Sequence, residues 1–296
     1  MRIAVGFFGQ LRTFEKISNN IIQTFDSENI EFDFYASTWS EGKKDIENIL
    51  RDNLNFIEID IEESSEEIEE AIEIFGTIYP MNYKKNKVFE IIKKSKRKYD
   101  YVILTRFDLE YLSPFPFDDI EKNVLGTGVG YVDKINETVG SWWRDKNFTF
   151  NEEHKLIMET DKASINRSDD YVLNNICDQI YAADIKTISL YLEFFNIIEI
   201  YFEKYKKTSK IKKNIEKKLY LIYKTLVKSP RKDNKALKVF KVYKFLSKNL
   251  GFYVPFFCSV PVHLTSKFKP TLYSYIIEAR NIDTKELNLK YTLNRG

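Results

Sequence analysis

Cysteine is scarce. The 296-residue chain holds two, Cys177 and Cys258, and no C-x-x-C spacing, which excludes a zinc knuckle and a dithiol redox motif. Two isolated cysteines fit buried thiols in a reducing compartment. Long hydrophobic runs are missing too. No stretch approaches the roughly 18 apolar residues that span a bilayer. The longest candidate, 188–202, is broken by Glu193, Asn196 and Glu199. The opening M-R-I-A-V-G enters a strand-like run directly, without the h-region and small-residue cleavage site of a signal peptide. The reading is a cytoplasmic protein. Internal repeats are absent.

What is present is ordinary for a globular α/β protein: 43% hydrophobic and 30% charged residues in a chain long enough for a sizeable core. The net charge of +2 conceals two blocks. Residues 41–73 are acidic, with Glu62, Glu63, Glu66, Glu67, Glu69 and Glu70. Residues 204–248 are rich in lysine, with Lys206, Lys207, Lys210, Lys212, Lys213, Lys217 and Lys218.

Residues 2–8 (R-I-A-V-G-F-F) form an apolar run of strand length, ended by Gly9, as in a buried parallel strand. Helical spacing follows over 14–25, then a strand over 31–38, a helix over 44–54 and a strand over 55–61. An acidic helix is expected over 66–75. A second helix over 82–98 places Tyr83, Val88, Ile91 and Ile92 on one face and lysines around the rest. Residues 99–104 complete the series as a buried strand. Alternating strands and helices predict βαβ units and a mostly parallel sheet flanked by helices.

Beyond Pro116 the pattern loosens. Residues 124–132 are Gly-rich and β-like, 169–183 read as a helix capped by Ser168, and 187–202 as an apolar helix. Residues 204–249 read as a basic helical subdomain, and 251–266 as extended, with two prolines. The expected organisation is a catalytic domain over 1–200, a basic helical insertion over 201–250, and a segment over 251–296 that packs back on the first.

In open parallel sheets, ligands sit beyond the carboxyl ends of the strands. That rule selects 9–12, 37–40 and 105–108. The last holds Arg106 and Asp108 at a strand end. Transfer from a nucleoside diphosphate requires neutralised leaving phosphates. A carboxylate-bound cation supplies this, and an arginine adds to it. The alternative is an ordinary ion pair at a strand end.

Residues 99–109 (Y-D-Y-V-I-L-T-R-F-D-L) resemble a segment of bacterial and viral GT-A-like glycosyltransferases, including WavE-type lipopolysaccharide-synthesis proteins. Residues 3–12 (I-A-V-G-F-F-G-Q-L-R) resemble the start of the same proteins, and 32–39 (F-D-F-Y-A-S-T-W) their second strand. The three segments keep their order and spacing over about the first 110 residues. The resemblance implies a nucleotide-sugar-dependent glycosyltransferase building a surface polysaccharide such as lipopolysaccharide. It implies a donor pocket lined by Gly9, Gln10, Arg12, Ser37, Thr38 and Arg106. Asp108 would stand in for the metal-binding acid of a D-x-D motif. Arg106 occupies the place of the first acid, so the diphosphate could be held with or without a divalent cation, Mn²⁺ or Mg²⁺.

The resemblance also implies a carboxylate base for the acceptor hydroxyl. Asp169 and Asp170 lie at a helix start, and Asp178 in Asp178-Gln179 precedes another; both choices stay open, beside simple helix-dipole complementation. Trp142 and Trp143, in a polar loop, are candidates for stacking on an acceptor sugar. His263, in a late strand-like element, is a candidate metal ligand or a satisfied structural histidine; His154 reads as surface.

The basic stretch has an apolar face at Leu219, Ile222, Tyr223 and Leu226. It suits an anionic membrane surface or a solvated helical face. Its near lack of arginine and of any nucleic-acid module argues against nucleic acid. The acceptor is expected to be a glycan or lipid-linked. The rival function is a non-catalytic nucleotide-sugar or membrane-surface binding protein on the same fold.

Overall fold

The computed structural model describes residues 1–40, 45–75, 78–128, 179–211, 214–215, 218, 276–277 and 279–293. Its centre is a seven-stranded sheet. Strand β1 (Arg2–Gly9) is buried on both faces and flanked by two parallel neighbours, β2 (Glu31–Trp39) and β4 (Tyr101–Arg106). Strand β3 (Phe56–Glu62) continues in parallel beyond β2. On the other side come β7 (Ile180–Ala183), β6 (Val124–Gly128) and β8 (Asp283–Leu287), in the order β3-β2-β1-β4-β7-β6-β8. Only β7 runs against the rest, since it is antiparallel to both β4 and β6 while β6 and β8 are parallel. A small second sheet pairs β5 (Leu109–Tyr111) with β9 (Tyr291–Leu293). The fold is therefore α/β with a mostly parallel sheet, as expected.

Helices cover both faces. Helices α1 (Phe14–Thr24) and α2 (Ile46–Asn53) put Phe14, Ile17, Ile21, Ile46 and Leu50 into one core layer with Phe7, Ile103 and Phe107. The apolar spacing that predicted them is the spacing they bury. On the opposite face α3 (Glu66–Phe75), α4 (Ile78–Lys94) and α5 (Ile185–Lys206) pack over Ala4, Phe8, Val102 and Leu104. Gly6 allows α4 to lie close: a Cβ there would stand 2.9 Å from a Leu104 methyl and 3.1 Å from Val88 and Ile92. Asp184 caps α5 through the Thr187 N–H (3.0 Å) and accepts from the Asn123 N–H (2.7 Å).

The chain runs β1, β2, β3 outward in one direction, then crosses back to place β4 on the other side of β1. The carboxyl ends of β1 and β4 therefore frame a topological switch point, where open α/β sheets form a crevice for ligands.

Several elements differ from the sequence reading. Residues 180–183, expected as the end of a helix, form β7. All four are buried and apolar, and a sheet slot between β4 and β6 outweighs helix propensity. The helix expected from 82 begins at Ile78 and ends at Lys94. Its lysines are not all solvated, since Lys84 and Lys85 are fully buried. Strands β5, β8 and β9 were not anticipated as separate strands. The remainder of the 169–183 helix, the 251–266 element and most of the basic 204–249 stretch lie outside the described residues.

Among the described residues, no helix is long and apolar enough to cross a membrane.

Candidate functional site

The carboxyl end of β4 is fixed from inside. Phe107 is fully buried, stacked on Phe7 (ring centroids 5.5 Å) and edge-on to Phe14 (5.4 Å). The chain then turns at Phe107–Asp108 into β5, so it is not extended across Arg106 and Asp108. The turn is clamped twice. The Tyr111 hydroxyl meets Thr105 Oγ1 at 2.7 Å, and Asn20 of α1 exchanges two 2.7 Å bonds with the Tyr111 backbone. Burial pushes the Tyr111 hydroxyl pKa up, so it stays protonated in this role.

Asp108 is buried at this turn, with its side chain 2% exposed. Arg106 forks onto it, Nε donating to Oδ1 (2.8 Å) and Nη2 to Oδ2 (2.7 Å). Arg12, from the loop after β1, donates from Nη1 to Oδ2 (2.8 Å). Its Nε and Nη2 also donate to Gln10 Oε1 at 3.2 and 3.0 Å. The loop reaches this position through two left-handed residues, Gly9 (φ 100°) and Arg12 (φ 42°). Glycine adopts such a φ freely; a side chain there carries strain, which Arg12 sustains while its guanidinium is held at both ends. Gly9, Gln10, Arg12, Arg106 and Asp108 thus come together at the β1/β4 switch point. Among the described residues, two guanidinium groups meet one carboxylate here, an arrangement suited to an anion.

Ser37 and Thr38 sit beside Phe8 and Gly9 in register, and both are fully buried. They do not join the arginine cluster. Ser37 donates to Asp60 Oδ2 (2.6 Å), and Thr38 Oγ1 has no hydrogen-bond partner among the described residues. Asp60 and Glu62, at the end of β3, were missed by the sequence reading. Buried Lys84 bridges them at 3.0 and 2.8 Å and lies 4.4 Å from the Trp39 ring, which stacks on Tyr83. Burial alone would raise the Glu62 carboxyl; hydrogen bonds and charge from Lys84 and Lys87 outweigh it and hold Glu62 below the usual range. The alternation Asp60-Ile-Glu62 at a strand end was the available signal. Gln179, just before β7, is also buried, and its Oε1 has no partner among the described residues. Because Ile180 pairs with Thr105, Gln179 lies at the site end of the sheet.

A divalent cation at a diphosphate is held by one or two carboxylates together with phosphate and water oxygens. Among the described residues, no three or more His, Cys, Asp and Glu side chains gather to hold one, and Asp108 already accepts three guanidinium bonds. Trp142, Trp143, Asp169, Asp170, Asp178 and His263 lie outside the described residues. No family model matches the chain, and no curated protein matches it.

Proposed function

We propose that this chain is a GT-A-like glycosyltransferase that moves a sugar from a nucleotide-sugar donor to a glycan or lipid-linked acceptor in surface-polysaccharide synthesis. The observation that carries the reading is the convergence of Arg12 and Arg106 on buried Asp108, at the switch point between β1 and β4. The three segments that resemble the glycosyltransferases supply β1 with its loop, β2, and β4 with its turn, which are adjacent strands.

In this reading the donor diphosphate lies against Arg12 and Arg106. The acceptor hydroxyl attacks the anomeric carbon, the bond from that carbon to the diphosphate oxygen breaks, and negative charge collects on the leaving nucleoside diphosphate. Guanidinium groups fixed in advance stabilise that charge without reorganising. A carboxylate among Asp169, Asp170 and Asp178 takes the acceptor proton, and Trp142 and Trp143 stack on the acceptor. Release of nucleoside diphosphate from a panel of sugar nucleotides with glycan and lipid-linked acceptors tests the reading. Binding without release, equal in Asp108→Ala, would instead establish the non-catalytic binding protein, which the arginine in place of a first acid favours. Release of pyrophosphate would identify a nucleotidyltransferase.

We also read the basic stretch as facing an anionic membrane. Ile211 is 74% exposed beside Lys210, and Ile215 is exposed near Lys218. Exposed apolar residues among lysines suit a headgroup boundary better than plain solvent.

A further inference from the structure

We propose that Arg12 and Arg106 neutralise the diphosphate in place of a divalent cation, and that Asp108 is a positioning residue for the two arginines. This rests on the reading of the site as a nucleoside diphosphate pocket. The departure from a D-x-D pattern is more than a missing acid. The surviving carboxylate has both oxygens committed: Oδ1 to Arg106 Nε, and Oδ2 to Arg106 Nη2 and Arg12 Nη1, all at 2.7–2.8 Å. An ionised carboxylate offers about four acceptor positions, so three are filled on a side chain that is 2% exposed. The one position left, on Oδ1, would give a cation a single oxygen of Asp108, beside two guanidinium charges that oppose it.

The arginines are arranged for an anion. Arg12 is 36% exposed, and its guanidinium carries five N–H donors. The Nε–H, one Nη1–H and one Nη2–H serve Gln10 and Asp108, which leaves the second Nη1–H and Nη2–H for a ligand. Gln10 accepts two of its bonds, and Asp108 ties it to Arg106 across the switch point. The guanidinium planes are therefore set before a diphosphate arrives, and bidentate contact is the mode arginine supports and a point charge does not.

Calorimetry on the full chain tests this, using inorganic pyrophosphate, a panel of nucleoside diphosphates and the matching monophosphates, each in EDTA and in Mn²⁺. The expected result is diphosphate binding in EDTA within about threefold of that in Mn²⁺. Arg12→Lys, a change at an exposed side chain, is expected to weaken it at least tenfold in both conditions. Asp108→Asn is expected to weaken diphosphate binding more than monophosphate binding, whereas a merely structural loss would lower both alike. Thermal melts identify any variant that fails to fold, and Arg12→Lys then carries the test. Nucleoside diphosphate binding seen only with Mn²⁺ overturns the inference while leaving the glycosyltransferase reading standing. Pyrophosphate bound in EDTA without any nucleotide preference supports the inference and removes that reading. Binding of neither ligand in either condition overturns both.

Discussion

Among the described residues, the buried carboxylates Asp33 and Asp108 each sit with two arginines. Asp33 shows how one residue gathers its partners. It accepts from Arg2 (3.0 Å), Arg97 (2.9 Å) and the Tyr99 hydroxyl (2.8 Å) on the second strand, far from the arginine cluster. Burial alone would raise its pKa; the hydrogen bonds from Tyr99, Arg97 and Arg2 outweigh that and hold it below the usual range. A carboxyl depressed in the folded state adds stability above its unfolded pKa, and this stability is lost as pH falls through the folded value. Thermal melts between pH 7 and 3 should therefore show a steeper acid loss for the native chain than for Asp33→Asn. At pH 7 the variant should be less stable by about 1–2 kcal/mol, since its hydrogen bonds no longer reach a charge. Equal acid slopes would show that Asp33 does not carry the linkage. Buried Lys84 is paired with two carboxylates, Asp60 and Glu62. Lys85 lies 3.2 Å from the Tyr181 hydroxyl among the rings of Phe8, Tyr181, Tyr191 and Phe194.

Among the elements, the first four strands, β1 to β4, were legible as apolar or alternating runs separated by amphipathic helices. The run 2–8 is buried almost throughout, and Ile17 and Ile21 are where the helical period put them. Of the later strands, β6 falls within the β-like 124–132, and the others were not legible. Asp283–Leu287 is an edge strand in which only Leu287 is buried, so alternation is faint. Ile180–Ala183 is four residues long, too short for a period to separate strand from helix. Close packing of α4 on β1 at Gly6 offers an element-scale test. Gly6→Val would drive side-chain atoms into Leu104, Val88 and Ile92. The expected cost is about 1–3 kcal/mol, typical of overpacking a filled core, read from denaturant midpoints. An unchanged midpoint would mean that α4 shifts outward without loss.

At the scale of the whole molecule, the candidate site was partly legible. Arg106 and Asp108 stood out as a strand-end pair, and two of the three strand ends that the sheet rule selected, 9–12 and 105–108, meet at the arginine cluster. Arg12 as the second guanidinium on Asp108 depends on β1 and β4 being neighbours, a fact of strand order that spacing in sequence does not carry. Asp60 and Glu62 escaped notice because their partner, Lys84, sits on a helix face that reads as solvated. The chain-wide charge is small, yet its lysines concentrate in 204–248. The membrane reading predicts that the chain sediments with vesicles containing anionic lipid, and is released as salt rises past the Debye screening range. Equal sedimentation with neutral vesicles would contradict it.

The glycosyl-transfer account meets its most direct test in nucleoside diphosphate released from sugar nucleotides by the native chain and by Asp108→Ala. The account predicts acceptor-stimulated release from at least one donor, reduced about 100-fold in the variant, the scale of removing one preorganised electrostatic element. Release that is unchanged in Asp108→Ala, or absent with every donor and acceptor tried, would contradict it.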